Sequence, residues 1–161
     1  MNNKTWTYGP QADLALDTFV KLVRGHATVY RLEVAHIRTD YGLTEPQFAV
    51  IEGLGHLGAM QMGELSRKML VTGGNMTVVV DNLERDGLVK RLPNPEDRRS
   101  LMVDLTPKGK KLFERIFPHH AENLARMFSV LDEAEQRRLG QLMKKLGTRL
   151  SKGLPVQKEG A

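Results

Sequence analysis

The sequence contains no cysteine, and this absence removes several functional classes at once. Disulfide bonds, cysteine nucleophiles, thiol redox sensing and zinc sites with cysteine ligands all require a thiol. No apolar run reaches the ~18 residues that a membrane-spanning helix needs. The first 15 residues also lack the apolar segment of a signal peptide. We therefore expect a soluble, cytoplasmic protein.

The residue patterns of common enzyme sites are missing as well. No nucleophile stands beside a paired base, and the pair Gly73-Gly74 has neither a preceding strand nor a nearby Lys, as a nucleotide-binding loop would. His119 and His120 are adjacent, so on a helix they point ~100° apart and serve one metal ion poorly. No two histidines are spaced i, i+4. We predict no enzymatic activity, no cofactor and no metal site.

The chain does carry a basic excess, with 24 Lys and Arg against 19 Asp and Glu among 161 residues. Such an excess permits an anionic partner. From position 137 onward, however, seven basic residues face a single acidic one, and a solvated basic helix face would give the same count. Net charge alone is therefore weak evidence for nucleic acid.

Hydrophobic spacing predicts six helices and one hairpin. Capping signals end the first helix at Gly42 and start later helices at Thr44 with Gln47, at Thr106, and at Asp132 with Glu135. Consecutive valines at 78–80 favour a strand by propensity, but Met76, Val79, Val80 and Leu83 fit one helical face. We predict a helix there, with Thr72 as its N-cap and Gly87 as its C-cap. The predicted helices cover about 12–39, 44–56, 63–70, 73–86, 107–131 and 132–150, and the strands cover 88–92 and 101–105.

This order of elements predicts a mainly α fold with a small two-stranded β-wing, that is, a winged helix-turn-helix lobe over residues 43–105. The long helices at 12–40 and 106–152 carry apolar stripes that a chain of this size struggles to bury, so we expect them to pair with a second copy. Pro118 predicts a kink in the fifth helix. Residues 1–11 and 153–161 are expected to be flexible.

The helix from Gly73 presents small and polar side chains on its outward face, which suits entry into a DNA major groove. The hairpin tip, NPEDRRS at 94–100, carries two guanidinium groups that can reach a minor groove. Asp97 is expected to hold one of them in a single rotamer. Lys90 and Arg91 alternate across a strand, so only one of them can face DNA. The predicted contacts are Gly73, Gly74, Asn75, Thr77, Val78 and Asn82 on the helix, Asp97, Arg98, Arg99 and Arg91 on the wing, and Ser66, Arg67 and Lys68 at backbone phosphates.

Four stretches in the correct order resemble the MarR family of bacterial transcriptional regulators. They are LTEPQFAVIEGL (43–54), ELSRKM (64–69), TVVVDNLERDGLVKRL (77–92) and PEDRRSLMVDLTPKG (95–109). The last helix, LDEAEQRRLGQLMKKL (131–146), fits as well. The resemblance implies a winged-helix homodimer with intertwined terminal helices, bound to a pseudopalindromic operator, usually as a repressor that a ligand releases. It also implies that Asp97 pairs with Arg99, that Arg99 enters the minor groove, and that Arg98 contacts phosphate.

The resemblance implies in addition a small-molecule pocket between the dimer helices and the winged lobe. Aromatic and basic groups at helical spacing suit an aromatic acid or a phenol, although such residues also build ordinary cores. The candidate pocket residues are His26, Tyr30, Phe48, Ile51, Phe113, Ile116 and Phe117. The alternative function is a winged-helix protein–protein interaction module without specific DNA readout, and a steep salt dependence of binding would distinguish DNA recognition from it.

Overall fold

The computed structural model describes residues 7–69, 76–95, 97 and 100–153. The elements are α1 (Pro10–Tyr41), α2 (Glu45–Leu57), β1 (Met60–Gln61), α3 (Met62–Lys68), α4 (Met76–Arg85), β2 (Val89–Pro93), β3 (Leu101–Leu105), α5 (Pro107–Phe128) and α6 (Glu133–Leu150). Two units are distinguished by their internal contacts, Met1–Ala121 and Glu122–Ala161. Within the described ranges, no helix is both long and apolar enough to cross a membrane.

The helix ends confirm the capping signals of the sequence. α1 stops at Gly42, whose φ of 67° lies in the left-handed region that glycine adopts without strain. Thr44 caps α2 and exchanges hydrogen bonds with Gln47 in a capping box. Asp132 and Glu135 form the same reciprocal pair at the start of α6.

The valine-rich segment forms the helix α4, as predicted, over its described residues Met76–Arg85. Val80 and Leu83 are fully buried, whereas Val78 is exposed. Packing of one helical face therefore outweighs the strand propensity of the valines. Gly87, with φ of 70°, turns the chain from α4 into β2. Thr72, the predicted N-cap, lies outside the described residues.

The sheet has three antiparallel strands in the order β1-β3-β2, so the prediction of a two-stranded ribbon was one strand short. β2 and β3 form the predicted hairpin, with Val89 opposite Leu105 and Pro93 opposite Leu101. The additional strand is Met60–Gln61, which pairs with Met102 and Val103. A strand of two residues is too short to show any periodicity, and its pairing partner lies about 40 residues along the chain.

The core of the first unit consists of two apolar clusters. The larger cluster joins α2, α3, α4 and the sheet through Val50, Ile51, Leu54, Met60, Leu65, Val80, Leu83, Leu88, Val89, Val103 and Leu105. The smaller cluster joins α1, α2 and α5 through Ile37, Leu43, Phe48 and Ile116. The larger cluster therefore fixes α3, α4 and the wing strands as one body.

The fifth helix begins as the sequence predicts. The Thr106 hydroxyl accepts a hydrogen bond from the Gly109 amide at 3.0 Å, which makes Thr106 the N-cap before Pro107. The helix continues through Pro118 to Phe128. The kink expected at Pro118 stays a prediction.

Gly109 is the tightest glycine position among the described residues. A Cβ atom there would lie 2.0 Å from the backbone oxygen of Leu88, and this oxygen also accepts the Thr106 amide at 3.0 Å. We expect Gly109→Ala to lower the free energy of unfolding by about 1–3 kcal/mol, because a backbone contact must move. Urea denaturation of the DNA-free protein measures the change.

The matched control is Gly25→Ala in the interior of α1. No heavy atom lies within 4 Å of a Cβ placed at Gly25, so the alanine should stabilise that helix by up to about 1 kcal/mol. A Gly109→Ala protein as stable as the wild type would contradict the close approach of α5 to the start of β2.

Candidate nucleic-acid interface

Helices α3 and α4 form the helix-turn-helix of the winged lobe. Leu65 of α3 and Val80 and Leu83 of α4 share the larger core cluster, so the opposite face of α4 is directed outward. On that face Thr77 and Val78 are exposed and Asn82 is half-buried. The structure thus makes Thr77 and Val78 available to a groove. The other predicted residues of this helix, Gly73, Gly74 and Asn75, lie outside the described residues.

The residues predicted to contact the DNA backbone from α3 are all exposed. Arg67 donates from Nε to the Gly63 carbonyl at 3.2 Å. Lys68 pairs with Glu64 at 3.1 Å. Both interactions are local to the short helix and solvent-exposed, and such pairs are easily exchanged for a phosphate. Together with Ser66 these residues form a small polar surface beside α4.

The base of the wing is closed by Asn94 and Ser100. The Asn94 amide donates to the Ser100 carbonyl at 3.2 Å, and Asn94 Nδ2 donates to Ser100 Oγ at 2.9 Å. Asn94 is buried, with 4% of its surface exposed. Sequence reasoning missed this pair, although an Asn and a Ser flanking a hairpin tip are typical turn residues.

The tip itself is described only in part. Asp97 is exposed, and its carbonyl accepts the Ser100 amide at 3.0 Å. Arg98 and Arg99, the predicted phosphate and minor-groove contacts, lie outside the described residues. The pairing of Asp97 with Arg99 therefore stays a prediction.

Arg91, predicted as a possible wing contact to DNA, is placed against α4 instead. Its guanidinium pairs with Asp81 at 2.5 Å and also with Glu84. Lys90, its neighbour on the opposite face of β2, is exposed. Of the two alternating cations, the structure therefore presents Lys90 to solvent and engages Arg91 with the helix.

The residues predicted to line a ligand pocket belong to several packed groups. Phe48 and Ile116 belong to the smaller core cluster and Ile51 to the larger one. His26 and Tyr30 stack on α1 with ring centroids 5.6 Å apart, and Tyr30 is 44% exposed. Phe113 and Phe117 instead flank the ring of His56, at 5.0 and 4.3 Å. The assignment of these residues to an effector site stays a prediction.

Two carboxyls near these aromatic rings, those of Glu33 and Glu52, were missed by sequence reasoning. Burial raises the pKa of Glu33, and the charge of Glu45 raises it further. Burial also raises the pKa of Glu52, although His56 opposes the shift. Tyr30 has a raised pKa, chiefly because of the Glu45 charge. A polar group hidden on an amphipathic helix leaves no periodic signal. Among the described residues, no three His, Asp or Glu side chains gather as a metal-binding group.

His120 is the most deeply buried of these polar residues, with 1% of its surface exposed. Its ring lies 4.6 Å from that of Phe48 and stacks on His36 at 6.3 Å. Its Nε2 lies 4.0 Å from a Glu33 oxygen, and its Nδ1 has no hydrogen-bond partner in the described structure. Burial, followed by the nearby His36, lowers its pKa below the ordinary 6.5. The fold therefore holds His120 in the neutral form.

A lowered pKa makes stability depend on pH at this position. Well above pH 6.5 His120 is neutral in both states, so its contribution to folding is fully present. As the pH falls below that value the unfolded chain takes up the proton first, and stability is lost. We expect His120→Phe to flatten the fall in unfolding free energy between about pH 7.5 and about pH 5.5. Chemical denaturation across this range measures the effect.

His119→Phe is the control for this prediction, since it removes the adjacent, exposed imidazole by the same substitution. Glu33 contributes in the opposite direction, because its raised pKa favours folding at low pH, with that contribution lost as the pH rises. Both variants keep Glu33, but only His120→Phe removes the ring that lies 4.0 Å from its carboxyl, so the comparison reports His120 together with this contact. Identical pH profiles for both variants would contradict the prediction.

A helix pair with an exposed polar face, followed by a β-hairpin anchored to the same core, defines a winged helix-turn-helix lobe of the DNA-binding class. The MarR family model matches residues 43–101, which span this lobe. The HTH-type transcriptional regulator MhqR of Bacillus subtilis is 35% identical over 83% of this chain and 91% of its own length. The HTH-type transcriptional repressor MdtR of Bacillus subtilis is 30% identical over 65% of this chain and 68% of its own length.

A solved structure extends the likeness to three dimensions. BpsR of Bordetella bronchiseptica, described as having its DNA binding regulated by 6-hydroxynicotinic acid, is 27% identical with a TM-score of 0.66. The alignment covers 79% of this chain and 98% of that one. The protein belongs to the MarR family and is a DNA-binding transcriptional regulator. The predictions of family, fold class and DNA-binding function are confirmed, and they are favoured over the interaction-module alternative.

Proposed function

We propose that the protein acts in the cytoplasm as a homodimeric repressor, bound to a pseudopalindromic DNA operator and released by a small effector. The observation that carries the dimer is the apolar face of α6. No residue of this helix is buried, yet Leu139, Leu142, Leu146 and Leu150 recur along one side of it. An amphipathic helix gains most of its stability from covering that side. A second copy of the chain supplies the cover.

The first helix supports the same proposal from the other unit. Leu16, Phe19, Val20 and Val23 recur along one side of α1 and are 43–61% exposed. Large apolar side chains grouped on one face are typical of an interface between subunits. The proposal therefore keeps residues 12–40 and 106–152 as dimerisation helices and residues 43–105 as the DNA-binding lobe.

Twofold symmetry of the dimer determines the form of its operator. Each lobe reads one half-site, and the two half-sites are related by the same axis as the two copies. We assign major-groove contacts to α4 and minor-groove or phosphate contacts to the wing. The relatives' description as transcriptional regulators and as a repressor supports control of transcription by occupancy of such a site. The proposal assigns the protein no enzymatic activity.

In this proposal the two lobes of the dimer exchange between an arrangement that fits adjacent DNA grooves and one that does not. The effector binds the second arrangement, and the population shifts away from the DNA-binding one. The partly buried carboxyls of Glu33 and Glu52 offer hydrogen-bond acceptors. Glu52 interacts with His56, whose ring packs against Phe113 and Phe117. A phenolic or aromatic effector matches this chemistry. The regulation of BpsR by 6-hydroxynicotinic acid supports this ligand class, and that acid is the first compound to test.

Selection from a library of randomised duplex DNA tests the proposed function. The protein is incubated with the library, bound duplexes are recovered and amplified, and the enriched sequences are aligned. We expect an inverted repeat whose half-sites lie about one helical turn apart. Enrichment of a single half-site would refute the dimeric operator, and no enrichment at all would refute sequence-specific recognition.

A further inference from the structure

The guanidinium of Arg91 connects the wing to the recognition helix. Arg91 pairs across the sheet with Val103, which is fully buried. Directly paired residues of an antiparallel sheet project from the same face. Arg91 therefore lies on the side of β2 that faces α4, although it sits on the strand leading to the wing tip.

Three interactions hold Arg91 to α4. Its Nη2 donates to Asp81 Oδ1 at 2.5 Å, its Nη1 donates to Glu84 Oε2, and its backbone amide donates to Glu84 Oε1 at 3.1 Å. The Arg91 side chain is 21% exposed. A planar guanidinium fork that bonds two carboxylates fixes both distance and orientation, which a single ion pair does not.

The two carboxylates would otherwise oppose DNA binding. Asp81 is 55% exposed at its side chain and lies one helical turn from Thr77 and Val78, the exposed residues of the DNA-facing side. A carboxylate near phosphates is repelled, and the repulsion is only partly screened by salt. Hydrogen bonds from Arg91 offset one of these two negative charges and hold both carboxylates where α4 approaches the duplex.

We propose that Arg91 is a positioning residue that holds the wing strand at a fixed distance from α4 and partly offsets the charge of Asp81 and Glu84, without contacting DNA itself. The inference rests on the proposed reading of DNA by α4 and the wing together. The two elements address different grooves, so their spacing must match the spacing of the grooves. A shift of about 1 Å between them is enough to weaken one set of contacts.

The direction in which one double variant changes the affinity for DNA distinguishes this positioning role from a purely electrostatic one. The double variant Asp81→Asn, Glu84→Gln removes two negative charges from the DNA-binding lobe. Charge alone predicts tighter binding to every duplex. The positioning role predicts weaker binding to the selected operator, because the amides offer Arg91 only neutral and weaker acceptors. It also predicts unchanged or tighter binding to a scrambled duplex.

The experiment measures fluorescence anisotropy of the full chain on the selected duplex and on a scrambled duplex, over a salt series, below the onset of thermal unfolding of every variant. We expect the double variant to lose about tenfold in affinity for the selected duplex, in line with coupling between residues that share contacts. Arg91→Lys should lose a similar factor, since lysine keeps the charge but not the fork. Asp86→Asn, the same chemical change at the first residue after α4, should lose nothing.

Three results would overturn the assignment. Operator binding by the double variant as tight as that of the wild type would show that the carboxylate partners are not needed. A salt slope about one unit smaller in Arg91→Gln would make Arg91 a phosphate contact. A wild-type protein that does not distinguish selected from scrambled duplex would instead refute the proposed function, and this assignment with it.

Discussion

Leu142→Glu is expected to convert the protein to a monomer and to weaken operator binding at least about 100-fold, because avidity between two linked half-site contacts contributes factors of this size. Leu142 is 42% exposed in the single chain and lies in the apolar face of α6. In the dimer that face is covered, and an unpaired carboxylate there carries a large desolvation cost. Light scattering coupled to size-exclusion chromatography measures the mass, and anisotropy on the selected duplex measures the affinity.

Gln141→Glu is the matched control for the dimer variant. It adds the same charge one residue away on the same helix, but roughly 100° around it and away from the leucine face. We expect this control to remain dimeric and to bind the operator nearly as the wild type does. A Leu142→Glu protein with wild-type mass and affinity would show that α6 does not form the interface.

Val78→Asp is expected to weaken operator binding roughly 30-fold or more, through a lost groove contact and repulsion from phosphates. Val78 is 46% exposed on the outward side of α4, whereas its neighbours Val79 and Val80 are partly or fully buried. We therefore expect the fold to tolerate a carboxylate at position 78 and only the affinity for DNA to decrease. Anisotropy on the selected duplex measures the change, with thermal melting as a check that the fold is intact.

The control for Val78→Asp is the same substitution at Val130. This valine is 84% exposed in the turn between α5 and α6, outside the winged lobe. We expect Val130→Asp to keep the wild-type mass in light scattering and to bind the operator with nearly wild-type affinity. An equal loss of operator affinity in the two variants would contradict the contact between α4 and DNA.

The sequence predicted the elements that have a strong local signal. Both capping boxes and the left-handed Gly42 depend on a few neighbouring residues, and all three appear as expected. The helical reading of the valine run rested on one apolar face of α4, which packs as predicted. The strand β1 has no such signal, because its two residues are defined by their partners on β3.

The site was less predictable because its residues depend on which face of an element is buried. In the strand Val89-Lys90-Arg91-Leu92 the two apolar residues lie on opposite faces. The alternation of polar and apolar residues therefore could not show whether Lys90 or Arg91 faces α4. The pairing of Arg91 with Val103 and its contacts with the carboxylates of α4 show that Arg91 is the residue that faces α4. Aromatic residues gave the same ambiguity, since helical spacing does not distinguish a core Phe48 from a pocket wall.

The measurement that tests the central claim most directly is the affinity of the wild-type protein for the selected duplex and for a scrambled duplex of equal length, across a salt series. Sequence-specific reading by the winged helix predicts a preference of at least about a thousandfold for the selected duplex. It also predicts affinity for both duplexes that falls steeply as salt rises. Equal affinity for the two duplexes at every salt concentration would contradict the account.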